Sequence, residues 1–255
     1  MKRPEAGWIY FEKRRMNRLD FLHRLSSAKS RYEKITLIPG ETTAIFLPYL
    51  AKKLGLDTKK LYEEYRKRSP YKEAGIVAES YNIPLHYDEK RVMSYLLNLT
   101  DSRYRKIARR NGIEYDPARW RRILTIASII QKEAAGRSEM ALISSVIHNR
   151  LKKGMRLQMD GTLNYGRYSH IRVTPERIRN DKTTFNTYRH AGLPKYPVCN
   201  VSESAIEAAI NPADTDYLYF MKNGQGRHDF TSSYRKHLKN IRKKRRKKLK
   251  TEDSE

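Results

Sequence analysis

One cysteine in 255 residues, Cys199, excludes an intramolecular disulfide framework and any cysteine-rich zinc site, and it leaves the compartment open. Long apolar runs are missing too. The longest, Ile123 to Ile130, is interrupted by Thr125 and Ser128 and falls far short of the roughly 20 residues that cross a bilayer. No transmembrane helix is expected, and the charges scattered from Met1 to Asp20 leave no apolar core for a secretory leader. The histidines fall outside ligand spacing and no His-Glu-x-x-His occurs, so a metal site is not expected. A Gly-x-x-x-x-Gly-Lys-Ser/Thr loop is absent, which leaves a P-loop nucleotide enzyme unsupported. Nothing in the chain implies a cofactor, and there are no internal repeats.

Acidic residues are the remaining shortage. Against 54 Lys and Arg stand 28 Asp and Glu, a net charge of +26, so a long-range partner is expected to be anionic. Arg235 to Lys250 holds 11 of those cations and no acid. The preceding 234 residues still carry 43 cations against 25 acids, or +18, so a tail alone does not account for the basicity.

What is present reads as an α+β chain of one large or two small domains. Residues 1–31 mix aromatic and basic side chains without sustained periodicity and form a basic lead-in. Ile35 to Ile38 reads as a short strand stopped by Pro39-Gly40, and Glu41-Thr42-Thr43 opens a helix carrying Ile45, Leu47, Leu50 and Leu54. Gly55 and Asp57 separate it from a second helix bearing Leu61, Tyr62 and Tyr65. Ser69-Pro70 closes this unit, 32–70. After a loop-rich stretch, Val92, Tyr95, Leu96 and Leu99 recur at helical spacing.

Asp116-Pro117 introduces the most hydrophobic segment, Trp120 to Ala135, apolar around most of its circumference and therefore a buried central helix, with Gly136 expected as its cap. A helix from Ser138 to Leu151 follows. The stretch from Gly154 to Cys199 is irregular, as in long ordered loops lining a site. Ser202 to Ile210 reads as a helix, and Asp216 to Thr231 as a hairpin about Asn223-Gly-Gln-Gly226. A basic tail, 239–255, ends the chain.

Glu133 ends the buried helix with Ile130, Ile129 and Ile126 three, four and seven residues before it. A carboxyl group on such a face loses hydration of its charged form, rises in pKa and can donate a proton, as a glycosidic general acid must. A wetted, inert Glu at a frayed helix end is the other reading. Glu139 falls near the next helix start, where a carboxylate suits the dipole or a substrate. Gln158, Asp160, Thr162 and Tyr165 form a polar series that either satisfies turn backbone or meets a ligand. Asn186, Thr187 and Tyr188 offer amide, hydroxyl and phenol groups suited to sugar hydroxyls and N-acetyl groups.

Several segments, in order and spacing, resemble the YceG-like endolytic murein transglycosylases of bacteria: Ala127 to Glu133, Ser138-Glu139, Ile143 to Leu151, Gly154 to Asp160 and Thr162. Phe185 to Tyr188, Gly192 to Pro194, Ala208 to Pro212, Tyr217 to Phe220 and His228 to Phe230 continue the match. Ile35 to Gly40 resembles the opening of the family's small LysM-like subdomain. The resemblance implies such a subdomain at 32–70, then a lysozyme-like, YceG-type catalytic domain at 71–238 with a β-hairpin near its end.

It also implies Glu133 as the catalytic residue, with Gln131 where the family usually has a second Glu, and Gly161 where it has Pro. Glu139, Gln158, Asp160, Thr162, Tyr165, Asn186, Thr187 and Tyr188 become the expected substrate contacts. The implied activity is that of a lyase in cell wall biogenesis. It would cut peptidoglycan strands between N-acetylmuramic acid and N-acetylglucosamine, leave 1,6-anhydro ends and so terminate glycan polymerisation. The implied setting is the periplasmic face of the inner membrane, with glycan strands, peptidoglycan synthases and an anionic membrane surface as partners. A basic nucleic-acid-binding protein is an alternative on charge, though it leaves Glu133 unexplained. A catalytically silent scaffold of wall assembly is another.

Overall fold

The computed structural model describes residues 15–27, 31–85 and 87–252. Most of the basic lead-in (1–14 and 28–30) and the tail's last three residues lie outside these. The described part of the lead-in is helical, α1 (Arg18–Ser27). Strand β1 (Tyr32–Thr36) begins and ends earlier than the Ile35–Ile38 expected from sequence, because its partner fixes its length. That partner, β2 (Ser80–Pro84), runs antiparallel with Ile35 opposite Tyr81. Between them lie α2 (Thr43–Leu54), ended by left-handed Gly55, and α3 (Thr58–Arg68). Asp57 caps α3 by accepting the Lys60 N–H at 3.0 Å.

The long α4 (Glu89–Arg110), capped by Asp88, joins two cores. Its Val92, Met93 and Leu96 close the smaller core over Ile35, Leu37, Phe46, Leu50, Leu61, Ile76 and Ile83. The small unit's packing therefore reaches past Ser69-Pro70 to take in β2 and the first half of α4. Further along, Tyr104, Ile107 and Ala108 belong to the larger core. Leu99, expected on the apolar face, is instead exposed, since the buried stripe passes through Thr100 to Tyr104.

The larger core is built around α5 (Pro117–Glu133), with Asp116 accepting the Arg119 N–H at 2.7 Å and proline at the first turn. Trp120, Leu124, Ala127, Ile129 and Ile130 are wholly buried in it. Ala134 caps α5 in place of the expected Gly136, whose backbone is extended. Packed around α5 are α6 (Met140–Lys152), following a short 3-10 turn at Arg137–Glu139, and α8 (Glu203–Ile210), capped by Ser202. The irregular stretch between them holds two 3-10 turns and the short α7 (Pro175–Asn180), which sequence periodicity did not reveal.

The expected hairpin is present as β3 (Tyr219–Lys222) and β4 (His228–Thr231), antiparallel with Tyr219 opposite Thr231. From it the basic tail continues as α9 (Tyr234–Glu252), whose Tyr234 and His237 rings lie 5.5 and 5.3 Å from Tyr219. The two cores are tied where Gly40 N–H donates to Asn200 O and Asn200 N–H donates to Glu41 O, at 3.0 and 2.8 Å. No described helix is long and apolar enough to cross a membrane. The fold is α+β.

Candidate active site

Glu133 is the last residue of α5, half-buried, with Ile126, Ile129 and Ile130 beneath it in the larger core. Burial pushes its carboxyl pKa up to about 7; the nearby charge of Asp160 adds to the rise, while the Gly161 N–H and Arg150 oppose it. Gly161 donates its N–H to Glu133 Oε1 at 2.7 Å. A β-carbon on residue 161 would stand 2.5 Å from Lys132 Cβ and 2.8 Å from Glu133 Oε1, so only glycine lets this backbone come so near.

The last turn of α5 is held by three successive side chains. Gln131 Oε1 accepts from the backbone and hydroxyl of Ser202, at 3.1 and 2.7 Å, and so supports the start of α8. Lys132 Nζ donates to Ser169 Oγ at 3.0 Å. Glu133 takes the Gly161 N–H. Gln131 is thus engaged in packing, and Glu133 carries the one carboxyl group of the three.

The loop that brings Gly161 to Glu133 alternates buried Leu157 and Met159 with exposed Gln158 and Asp160. Gln158 adopts a left-handed backbone, φ +49°, an uncommon conformation for a side-chain-bearing residue. Its N–H donates to Thr187 O at 3.2 Å, and Met159 N–H donates to Thr187 Oγ1 at 3.1 Å. Thr162 Oγ1 donates to Met159 O at 2.7 Å. Asn186 donates to the carbonyls of Ile178 and Asp181 at 2.8 and 2.7 Å and accepts the Tyr188 N–H.

Thr162, Asn186 and Thr187, expected among the sugar contacts, are thus buried and engaged within the protein. They hold the loops that carry Gly161 and Tyr188. Exposed Asp160 accepts the Tyr188 hydroxyl at 2.6 Å, and both lie near enough to Glu133 to feel its charge, while Gln158 is exposed on the same loop as Asp160. Burial, together with Asp160 and Glu133, keeps the Tyr188 phenol protonated far above neutrality. Tyr165 was expected among the substrate contacts; Phe185 covers one face of its ring at 4.2 Å, and the Tyr165 hydroxyl donates to Asp181 at 3.0 Å.

Glu139 is buried, and its carboxylate accepts the His228 N–H and pairs with His228 Nδ1, both at 2.8 Å. Burial alone would raise its pKa, but the His228 contacts outweigh it and hold the group below the ordinary value. It locks the hairpin to α6. Sequence reading also missed Arg150, a cation in the last turn of α6. It is buried, donates to Leu218 O at 2.6 Å and to Leu157 O, and offsets the raised pKa of Glu133. Glu133 keeps part of its surface open to solvent.

A half-buried acid whose pKa burial raises to about 7, held by a backbone donor and flanked by one carboxylate, has the features that general acid–base catalysis needs. The model of the YceG-like family matches residues 2–243, and this chain belongs to that family. A Bacillus subtilis protein named endolytic murein transglycosylase is 40% identical over 119 residues, which are 46% of this chain and 33% of that protein. A Streptococcus pneumoniae protein of the same name is 32% identical over 125 residues, 47% of this chain and 23% of the relative. The chain's matches thus span a third or less of the length of these relatives. A crystal structure of a YceG-like protein from Listeria monocytogenes superposes with a TM-score of 0.67 at 22% identity, covering 88% of this chain and 81% of the other, which shows the shared fold.

Proposed function

We propose that this protein is an endolytic peptidoglycan lytic transglycosylase with Glu133 as its single acid and base. The observation that carries the proposal is the Glu133 carboxyl group, raised to about 7 by burial and held by the Gly161 N–H. Family membership and two relatives named for this activity support it.

The protonated Glu133 gives its proton to the oxygen joining N-acetylmuramic acid to N-acetylglucosamine. The C1–O bond breaks, positive charge develops at muramic C1, and the leaving sugar departs with a free hydroxyl. Glu133, now a carboxylate, takes the proton of the muramoyl 6-hydroxyl as O6 bonds to C1. A 1,6-anhydro ring forms, Glu133 is protonated again and no water is consumed. One carboxyl group near neutral pKa suits both halves, whereas hydrolytic glycosidases divide them between two.

In this reading Gln158, Asp160 and Tyr188 meet the sugars directly, with Tyr165 at the margin, while Glu139 acts through the hairpin that it holds. Thr162, Asn186 and Thr187 act by holding them in place. We further propose the division into a basic lead-in, a LysM-like unit at 32–70, a catalytic domain at 71–238 and a basic tail. Action at the outer face of the inner membrane, beside peptidoglycan synthases and with the basic surface on anionic lipid, belongs to the same proposal.

Native protein is expected to release 1,6-anhydro-ended fragments from purified glycan strands, read by mass. Glu133→Gln keeps the fold and loses that release. Undiminished release by the variant overturns the assignment, and intact strands with native protein favour a silent scaffold.

A further inference from the structure

A second half-buried acid, Glu73, lies outside the chemistry above. One oxygen, Oε1, accepts the Thr43 N–H at 2.7 Å, the Thr43 hydroxyl and the Asn200 amide at 3.2 Å. Its other oxygen has no side-chain partner among the described residues, and the Ala74 backbone N–H lies close enough to the carboxyl group to favour its charged form. Glu73 lines a cavity of about 740 Å³, bounded also by Tyr62, Tyr65, Tyr71, Arg66 and Lys72. That volume falls within the roughly 300–1,000 Å³ of ordinary ligand sites.

The polar groups of this cavity left without a partner are few, and burial pushes the Glu73 carboxyl up to about 7, so it is a carboxylate above that pH. The Tyr62 hydroxyl donates to Thr43 O, that of Tyr65 accepts the Gly75 N–H, and that of Tyr71 pairs with Tyr115. Ser69 is engaged by the Tyr71 backbone through both N–H and carbonyl. A neutral sugar would find little to satisfy its hydroxyls here. One carboxylate oxygen remains, on half-buried Glu73, with two exposed cations at the outer edge. Arg66 stands over the Tyr62 ring at 5.9 Å and Lys72 over the Tyr196 ring at 4.5 Å, and neither makes a salt bridge among the described residues.

Opposite charges separated by an aromatic wall complement a ligand that carries both signs. We propose that this cavity binds a short zwitterionic peptide, its ammonium on the free oxygen of Glu73 against the tyrosine rings and its carboxylate on Arg66 and Lys72. Aromatic faces attract an ammonium group, and the guanidinium and ammonium of the outer edge attract a carboxylate. The inference does not rest on the proposed function: the peptide branches of wall glycan are amide-linked to the sugar through their N-terminus and lack a free terminal ammonium, so the expected ligand is a free peptide.

The test titrates the full chain with trialanine, its N-acetyl form, its C-terminal amide and N-acetylglucosamine, followed by calorimetry and by NMR. Trialanine is expected to bind about tenfold or more tightly than either blocked peptide, the effect of losing one charge-assisted contact. Arg66→Ala, on an exposed side chain, should lower trialanine affinity toward that of the amide, leave the amide unchanged and keep the melting temperature. Glu73→Gln should erase the preference for trialanine over its acetylated form. Because Glu73 also holds Thr43 and Asn200, the Arg66 variant and the blocked peptides decide the matter should that variant fail to fold.

Equal binding of free and blocked peptides, binding of N-acetylglucosamine in place of trialanine, or no saturable binding at about 50 mM peptide overturns the proposal. Glu133→Gln is expected to bind trialanine as the native protein does, so a failure here is distinct from a failure of strand cleavage.

Discussion

Replacing Gly161 by alanine is the sharpest probe of how the acid is set. The new methyl group would stand 2.5 Å from Lys132 Cβ and 2.8 Å from Glu133 Oε1, inside any ordinary contact, so the loop must retreat and the 2.7 Å hydrogen bond to Glu133 is lost. A backbone donor favours the ionised carboxylate, and a bond to a charged group contributes about 1.5 kcal/mol or more. Its removal therefore raises the Glu133 pKa above about 7, and at 1.36 kcal/mol per pH unit the change is about one unit. Since Glu133 must be protonated to donate, activity falls as pH rises through that pKa. The alkaline limb of the pH–rate profile for anhydro-fragment release should move about one unit higher in Gly161→Ala, with a lower maximum because the acid is less well placed. An unmoved limb together with full activity would show that the Gly161 N–H does not govern Glu133.

Glu133 also bears on stability. Its folded pKa lies above the unfolded value of 4.5, so it favours the fold below about pH 4.5 and that contribution is lost as pH rises toward 7. Glu133→Gln should accordingly melt with the native protein near pH 4.5 but above it at pH 8, by a free energy on the order of 1–3 kcal/mol, and coincident melting curves at both pH values would contradict the burial argument. Asn186→Ala removes two donors to buried carbonyls and one acceptor, so a loss of about 2–4 kcal/mol is expected in denaturant titrations. A stable variant with weakened glycan binding would return Asn186 to the substrate surface. Cys199 is wholly buried and burial pushes its thiol pKa well up, so thiol reagents should modify it only after unfolding.

Much of the fold is legible in local pattern. Asp57, Asp116 and Ser202 each announce a helix start, and each accepts the N–H three residues on. The apolar run from Trp120 to Ile130 could hardly lie anywhere but in the centre. Strand β2 is illegible because its partner lies 44 residues away at the Ser80–Thr36 pair, and pairing over that span leaves no local periodicity.

The site divides the same way. Glu133 stands out by its isoleucines and by family resemblance. Thr162 and Thr187, by contrast, look alike whether they face a ligand or satisfy a loop, since short polar side chains do both. Their hydrogen bonds to Met159 and to each other settle their place, and those of Thr187 join residues 28 and 25 apart. Arg150 misled for another reason. A cation at a helix end fits the dipole equally well in solvent or buried, and only the approach of Leu218 and Leu157 carbonyls distinguishes the two.

Helix termini ordinarily fray, which makes them poor mounts for a group that must meet a bond within a fraction of an ångström. Here Gln131, Lys132 and Glu133 are bolted in succession to three separate stretches of chain, at Ser202, Ser169 and Gly161. The orientation that a reaction would otherwise have to freeze out at every turnover is thus established once, when the polypeptide folds, and the carboxyl group waits already aimed.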